Sequence, residues 1–177
     1  MPVLYTVGHS TRAIDEFLAL VDDAGVRMLA DIRRFPASRR HPQYNRGELE
    51  AALATRGIGY RWLGESLGGR RKATLPIERS PNRAWKVEAF RTYADAMTTP
   101  EFLAGVEELE RLARVAPTTY MCAEKPWWKC HRRVLSDLLV ARGWDVVHLI
   151  DPGKRAAHEL SEWARVGAGT VRYPGLC

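Results

Sequence analysis

The chain has 177 residues, of which 46% are apolar and 27% are charged, and its formal net charge is +6 at pH 7. This balance is typical of one globular domain and excludes a disordered chain. No apolar run reaches the roughly 18–20 residues of a membrane span, and the first residues lack the pattern of a signal peptide. We therefore expect a single domain over residues 1–177 that lies in the cytoplasm and has no membrane partner.

The excess of positive charge favours an anionic partner, either a phosphorylated small molecule or nucleic acid. The three cysteines are Cys122, Cys130 and Cys177. Their odd number argues against a framework of disulfide bonds. Cys177 is the last residue, so we expect it to be frayed and incidental.

The first half of the chain predicts three strands separated by two helices. Thr11 is expected to cap the first helix, which Gly25 ends. Asn45 and Glu48 resemble a capping box for the second helix, which Gly57 ends. The predicted strands cover residues 4–7, 26–32 and 58–63.

The second half begins with residues 64–83, which contain glycine, proline and basic residues with little periodicity. A stretch of this kind predicts a long irregular loop, with the length and composition of a lid. Helices are predicted over residues 83–97, after Thr99, from near Cys130 and around residues 156–164. The remaining strands are predicted over residues 118–122, 144–150 and 170–173.

Strands that alternate with helices predict an α/β fold of three layers. We expect a mostly parallel sheet of about five to six strands with helices on both faces. Ligands of such sheets bind outside the carboxyl ends of the strands. The candidate site therefore consists of the polar residues at or after those ends, which are His9, Ser10, Asp31, Arg33, Arg34, residues 64–72, Cys122, Glu124, Lys125, Trp127, Trp128, Cys130, His131 and Arg132.

Cys130 is the strongest candidate for chemistry among these residues. It lies where a helix begins, among cations, and both features lower the pKa of a thiol. It could act as a nucleophile or a redox centre, or it could be half-buried and inert. Cys122 ends a buried strand, which favours a role as a small core residue. Because the spacing of the two cysteines and His131 is not a zinc pattern, we expect no metal and no cofactor.

Several groups could move protons at this edge. Glu124 is suited to general acid or base catalysis, or it forms an ion pair with Lys125 or Arg132. His131 follows Cys130, but adjacent helical residues point about 100° apart, and it could hold a loop carbonyl instead. His9 is better placed as a partner of the thiol, or it caps a loop. The candidate catalytic residues are Cys130, Glu124, His9, His131 and Asp31.

Binding groups surround these residues. Asp31 and Arg33 leave the strand on the same face, so they organise a site or form a structural salt bridge, and Arg33 can hold an anion. Cations and aromatic residues interleave over residues 33–46, which is typical of a nucleic-acid platform and also of a solvated basic loop. The candidate anion- or substrate-binding residues are Ser10, Arg33, Arg34, Lys125, Arg132, Trp127 and Trp128.

Short motifs along most of the chain resemble one prokaryotic family, domain of unknown function 488. They are Thr6-Val7-Gly8-His9-Ser10, Asp31-Ile32-Arg33-Arg34-Phe35-Pro36-Ala37-Ser38, Leu63-Gly64, Leu67-Gly68-Gly69, and Cys122-Ala123-Glu124 with Cys130-His131-Arg132. The resemblance implies a compact α/β domain and brings no assigned reaction. It marks as motif positions His9, Ser10, Asp31, Arg33, Glu124, Cys130, His131 and Arg132.

Three functions remain open at this point. The first is an enzyme that acts on a phosphorylated or nucleobase-containing substrate through the Cys130 thiol or through acid–base chemistry at Glu124. The second is a nucleic-acid-binding module without catalysis. The third is a metal or thiol-redox site built from cysteine and histidine. We expect the first.

Overall fold

The structure, a computed structural model, describes residues 2–175, so Cys177 lies outside the described residues. Six strands form one sheet in the order β3-β2-β4-β1-β5-β6. The first five strands are parallel and β6 runs antiparallel to β5, which confirms the predicted α/β fold with a mostly parallel sheet. The strands are β1 (Val3–Gly8), β2 (Met28–Asp31), β3 (Gly59–Trp62), β4 (Thr118–Cys122), β5 (Asp145–Asp151) and β6 (Lys154–Ala157).

Helices cover both faces of this sheet. They are α1 (Ile14–Asp23), α2 (Arg46–Ala54), α3 (Gly64–Leu67), α4 (Glu88–Ala96), α5 (Pro100–Val115) and α6 (Arg132–Ala141). On one face, Phe17 of α1 and Leu49 of α2 belong to the same buried cluster as Met121 of β4. On the other face, helices α3 to α6 contribute to a second buried cluster, in which Phe102 and Leu135 join Tyr120.

Central strand β4 shows why the sheet is covered on both sides. Every residue of Thr118–Cys122 is buried, as expected of a parallel strand with helices on both faces. Because successive side chains of a strand point to opposite faces, Tyr120 and Cys122 face the cluster of α4 to α6, whereas Met121 faces α1 and α2. Cys122 therefore lies beneath α6.

One prediction about the end of the chain is wrong, whereas the predicted final strand is present. Residues 156–164 do not form a helix: Ala156 and Ala157 belong to β6, and residues 158–164 form turns and irregular backbone. The backbone of β6 pairs with β5, and tertiary hydrogen bonds hold His158 and Ser161 against Asp137, which overrides the local helical spacing. The final strand, β8 (Thr170–Arg172), pairs with β7 (Arg165–Gly167) in a separate two-stranded sheet.

Several helix ends also differ from the sequence prediction. Helix α4 begins at Glu88 rather than near residue 83, because residues 81–84 form turns and residues 85–87 are irregular. Helix α6 begins at Arg132, after a 3-10 turn, rather than at Cys130. Thr99 caps α5 as predicted, accepting a hydrogen bond from the amide of Phe102.

The two caps predicted in the first half of the chain do not form. The N-cap of α1 is Ala13 rather than Thr11, and it has no side-chain hydrogen bond. Asn45 is the N-cap of α2, but its Oδ1 accepts from the amide of Ser38, at 2.7 Å, rather than from the helix. A long-range loop contact has taken the place of the local cap.

The segment over residues 64–83 contains helix α3 and a 3-10 turn at Ile77–Arg79. Two guanidinium groups tether its first part, because Arg34 Nε donates to the carbonyl of Gly69 at 2.9 Å and Arg71 Nε donates to that of Gly68 at 3.0 Å. Residues 72–79 are exposed. The tethered part therefore lies against the carboxyl edge of the sheet.

Within residues 2–175, the structure contains no helix whose length and apolar character would allow it to span a membrane.

Candidate active site at the carboxyl edge of the sheet

A cavity of about 330 Å³ opens at the carboxyl ends of β1, β2 and β4. This is the edge at which parallel sheets of α/β proteins bind ligands. The cavity is lined by His9, Arg33, Arg34, Phe35, Ala37, Ser38, Gly69, Arg70, Cys122, Ala123, Glu124, Cys130 and His131.

Backbone hydrogen bonds beyond the strand ends bring these residues together. The amides of His9 and Ser10 donate to the carbonyls of Cys122 and Ala123, both at 2.9 Å. The amide of Ile32 donates to the carbonyl of Met121 at 3.0 Å. The segments after β1 and β2 therefore flank the segment after β4, and residues remote in sequence meet in one cavity.

Gly8 is required where β1 passes the segment after β4. A Cβ atom at this position would lie 1.8 Å from the carbonyl oxygen of Glu124 and 2.9 Å from Nη2 of Arg132. No side chain fits between these atoms. The glycine therefore lets the chain after Cys122 approach β1 and reach the guanidinium group of Arg132.

The two cysteines form a pair on the floor of the cavity. Their Sγ atoms lie 3.2 Å apart, and both residues are buried and have free thiols. Arg132 Nε donates to the Sγ of Cys122 at 3.0 Å, and the backbone amide of Arg132 donates to the Sγ of Cys130 at 3.4 Å. The guanidinium group therefore contacts Cys122 directly.

This arrangement makes the two thiols unequal. Burial opposes ionisation of Cys122, but the hydrogen bond from Cys130 and the charge of Arg132 outweigh it and lower the pKa of Cys122 to about 6. Burial, the hydrogen bond with Cys122 and the charge on that sulfur raise the pKa of Cys130 well above its usual value. The contacts around the pair thus favour ionisation of Cys122, which the sequence had assigned to the core, over ionisation of Cys130.

Arg132 was a candidate anion-binding residue, but its guanidinium group is buried and does not line the cavity. Its Nη1 donates to Oγ1 of Thr6 at 2.7 Å. Its Nη2 donates to the carbonyls of Glu124 at 2.5 Å and Lys125 at 3.1 Å. The cation therefore compensates the thiolate of Cys122 and holds the turn after β4.

Asp31 and Arg33 form a buried bidentate pair beside the cavity. Arg33 Nε donates to one carboxylate oxygen at 2.9 Å and Nη2 donates to the other at 2.7 Å. Tyr60 also donates to this carboxylate, at 2.6 Å. Asp31 does not line the cavity, whereas Arg33 does. The carboxylate thus orients Arg33, whose Nη1 points to His9.

His9 is held as a neutral ring. Its Nδ1 donates to the carbonyl of Ser10 at 2.8 Å, which leaves Nε2 as an acceptor 3.4 Å from Nη1 of Arg33. The ring stacks on Tyr44 at 4.1 Å. Burial is the main cause that lowers the pKa of His9 to about 4. Ser10 contributes its carbonyl, and its side chain does not line the cavity.

His131 is a second neutral ring in the cavity wall. Burial, followed by the charge of Arg132, lowers its pKa to about 3. Its Nε2 is buried and makes no hydrogen bond with residues 2–175. A Cβ atom at Gly69 would lie 3.0 Å from its Nδ1. The glycine of the tethered loop therefore makes room for this ring.

Glu124 lies at the rim with an exposed side chain. Neither predicted ion pair of this carboxylate forms. Lys125 pairs with Asp151 at 2.9 Å, and Arg132 contacts only the backbone carbonyl of Glu124. The carboxylate therefore remains available at the mouth of the cavity.

The remaining predicted binding residues lie away from the cavity. Trp127 stacks on His148, with ring centroids 4.2 Å apart and planes 2° from parallel. Trp128 is 49% exposed and packs edge-on against Trp127. Lys125 is held by Asp151. The structure thus does not bring these three side chains together with the cysteine pair.

Sequence reasoning did not assign Phe35, Ala37 and Ser38 to the site, although they form part of the outer wall of the cavity. Phe35 is 63% exposed, and the guanidinium carbon of Arg70 lies 6.0 Å from the centroid of its ring. Arg70 has a φ of 55°, a conformation that is uncommon for residues other than glycine. Ala37 and Ser38 complete this wall. A phenylalanine directly after two arginines in the loop that follows a strand was the available signal.

Among residues 2–175, no group of three or more histidine, cysteine or carboxylate side chains is placed to hold a metal ion.

A model of one protein family, described as "Domain of unknown function DUF488", matches residues 13–139, which is more than half of the chain. The matched range includes Asp31, Arg33, both cysteines of the cavity and Arg132. No curated protein and no solved structure matches the chain significantly.

Proposed function

This chain belongs to the family of domains of unknown function DUF488, and we propose that it is a cysteine enzyme in which Cys122 is the nucleophile and Cys130 the resolving thiol. The observation that supports this function is the sulfur pair itself. The Sγ atoms are 3.2 Å apart, and a guanidinium nitrogen lies 3.0 Å from only one of them. A thiolate beside a neutral thiol is the arrangement that dithiol chemistry needs.

The reaction that we infer is reduction of an electrophilic sulfur in a disulfide substrate. The Cys122 thiolate attacks one sulfur, forms a mixed disulfide and releases the other half as a thiolate. That thiolate takes the proton of Cys130, and the Cys130 thiolate then attacks Sγ of Cys122. The second half of the substrate leaves as a thiolate, so the products are one substrate thiol, one substrate thiolate and a Cys122–Cys130 disulfide, which an external thiol reduces again. A dithiol that must be reduced in each cycle suits the cytoplasm.

The outer wall of the cavity supports a small anionic substrate. Arg34 and Arg70 line it, and among residues 2–175 neither forms a salt bridge with a carboxylate. The exposed ring of Phe35 offers a stacking surface beside these cations. We therefore propose that the disulfide substrate carries a phosphate group or a nucleobase, with Glu124 at the rim to exchange protons.

Site-specific alkylation tests the assignment of the thiolate. Cleavage after Lys129 places Cys122 and Cys130 in separate peptides, so that mass spectrometry can follow each thiol with iodoacetamide as a function of pH. We expect Cys122 to react with a midpoint near pH 6 and Cys130 to remain unreactive through pH 8, because only Cys122 is ionised there. A lower midpoint for Cys130 than for Cys122 would reverse the assigned roles.

Trapping of the mixed disulfide tests the mechanism. In a Cys177→Ser background, which removes the third thiol, Cys130→Ser should accumulate a mixed disulfide on Cys122 when it is treated with a low-molecular-weight disulfide. Cys122→Ser, as the matched control, should not form one on Cys130 at neutral pH. The protein with both cysteines should proceed to the Cys122–Cys130 disulfide. Equal trapping in both variants would exclude the proposed order of attack.

One surface feature favours the second candidate function, nucleic-acid binding. A hollow of about 590 Å³ beside the β7–β8 pair is lined by Arg83, Arg165 and Arg172, and it contains no cysteine, histidine or carboxylate side chain. Replacing all three arginines by methionine should weaken binding of oligonucleotides and reduce its dependence on salt. An unchanged affinity and salt slope would exclude this hollow as the interface.

A further inference from the structure

Behind the cysteine pair, a chain of buried polar groups runs from Arg132 across the sheet. Oγ1 of Thr6 accepts from Arg132 Nη1 at 2.7 Å and lies 3.2 Å from Nδ1 of His148. Nε2 of His148 lies 3.0 Å from Nδ1 of His158, and Nε2 of His158 lies 2.7 Å from Oδ1 of Asp137. None of the five residues lines the cavity of the cysteine pair.

The hydrogen bonds between these five residues all donate in the same direction, from Arg132 toward Asp137. Because Arg132 donates to the hydroxyl of Thr6, that hydroxyl is free to donate its own proton to Nδ1 of His148. His148 then carries its proton on Nε2 and donates to His158, which in turn donates from Nε2 to Asp137. Each tautomer follows from the preceding hydrogen bond.

Asp137, the last of the five residues, accepts further hydrogen bonds. The hydroxyl of Tyr173 donates to Oδ2 of Asp137 at 2.7 Å, and the amide of Ser161 donates to Oδ1 at 3.1 Å. Thr6 and Asp137 have no exposed surface, and His148 is 1% exposed. Burying a polar group without a hydrogen bond costs free energy. The hydrogen bonds from Arg132 to Asp137 therefore have essentially one arrangement.

That arrangement determines which nitrogen of Arg132 faces a sulfur. Thr6 occupies Nη1, and the carbonyls of Glu124 and Lys125 occupy Nη2. The remaining contact of the group is from Nε, which donates to the Sγ of Cys122. Without the hydroxyl of Thr6, the guanidinium group would lose one of the three oxygen acceptors that hold it with Nε toward Cys122.

We propose that Thr6, His148, His158 and Asp137 are positioning residues that orient Arg132 toward Cys122 and so determine which of the two cysteines is ionised. This inference rests on the proposed function, in which Cys122 is the nucleophile. Cys122 interacts with Cys130 and Arg132, while Tyr93 from α4 interacts with both cysteines and Tyr120 from β4 with Cys130. Burial raises the pKa of both tyrosines, so Arg132 is the cation that the positioning residues must direct.

The test compares Thr6→Val, which keeps the shape but removes the hydroxyl, with Thr6→Ser, which keeps the hydroxyl. The alkylation midpoint of Cys122 is measured on its own peptide in each variant, with circular dichroism as the control for folding. We expect Thr6→Val to raise the midpoint by about one pH unit, because a charged hydrogen bond to the thiolate is misdirected. Thr6→Ser should remain within about 0.3 units of the unmodified chain.

A folded Thr6→Val variant with an unchanged midpoint would overturn the inference. Should Thr6→Val fail to fold, His148→Leu and His148→Asn decide in the same way, since only Asn keeps an acceptor for the Thr6 hydroxyl. If the alkylation midpoint of Cys122 in the unmodified protein were that of a free cysteine, about pH 8.5, and Thr6→Val still raised it, only the proposed function would be contradicted. The measurements therefore distinguish an error in the proposed function from an error in the positioning role of Thr6.

Discussion

Arg132 connects the cysteine pair to the strand and the turn around it. It is 1% exposed and contacts Cys122, Thr6 and two backbone carbonyls. Among residues 2–175 it forms no salt bridge with a carboxylate, and in the proposed function the thiolate of Cys122 compensates its charge. The cysteine and the arginine therefore form a buried ion pair, in which each partner depends on the other.

Replacing Arg132 by Met should lower the free energy of unfolding by about 3 kcal/mol, because the hydrogen-bonding partners of a buried charge are left unpaired. The alkylation midpoint of Cys122 should rise at the same time. Urea unfolding at pH 7 measures the first effect. Arg39→Met is the matched control, since Arg39 is exposed and its replacement should change stability by less than about 0.5 kcal/mol. Equal stability of the two variants would contradict the buried pair.

At the scale of elements, the site depends on how closely β1 passes the segment after β4. The ladder between these strands continues beyond their ends through His9 and Ser10. The carbonyl of Glu124 lies where the side chain of residue 8 would be. The close approach places the Glu124 carbonyl within reach of Arg132. The junction of the two strands is thus part of the binding site of the guanidinium group.

Gly8→Ala should therefore destabilise the protein by about 2–3 kcal/mol, since the added Cβ meets rigid backbone. The same change at Gly47, in α2, serves as the control, because nothing lies within 4 Å of a Cβ there. Gly47→Ala should stabilise by roughly 0.5–1 kcal/mol through the entropy of the unfolded chain. Thermal or urea unfolding measures both. Similar small effects at the two glycines would contradict the close approach.

At the scale of the whole molecule, the buried histidines make stability depend on pH. Burial is the main cause that lowers the pKa of His9 to about 4, of His131 to about 3 and of His148 to about 2. The unfolded chain takes up protons on these rings below about pH 6.5. The folded protein does not take them up until these lower pKa values are reached.

Stability should thus fall as the pH drops from about 6.5 to 4, by up to about 1.4 kcal/mol per pH unit for each ring. Cys122 also makes stability fall as the pH drops, but over a higher range of pH. Its stabilising effect is full above the unfolded pKa of about 8.5 and is lost as the pH falls to about 6. Urea unfolding between pH 4.5 and 8.5 measures the slope. His9→Gln should reduce it between pH 5 and 6, and a flat profile in that range would contradict neutral buried rings.

Much of the architecture could be predicted from the sequence because hydrophobic periodicity is local. The buried run of β4 and the helical spacing before Gly25 and Gly143 led to the parallel sheet with helices on both faces. The prediction failed near residues 156–164. Pairing of β6 with β5 and the hydrogen bonds of Asp137 come from distant parts of the chain. No periodicity within a short window reports them.

The sequence by itself determined which residues stand at strand ends, and the rule for parallel sheets then placed His9, Arg33, Glu124 and the cysteines at one edge. Only the tertiary structure decided which cysteine is ionised. A helix start near Cys130 favoured that thiol, but the decisive hydrogen bond runs from Arg132 to Cys122. Its direction depends on Thr6, which is 126 positions from Arg132 in the chain. Charge in a buried site follows three-dimensional neighbours, and these do not appear in the local pattern.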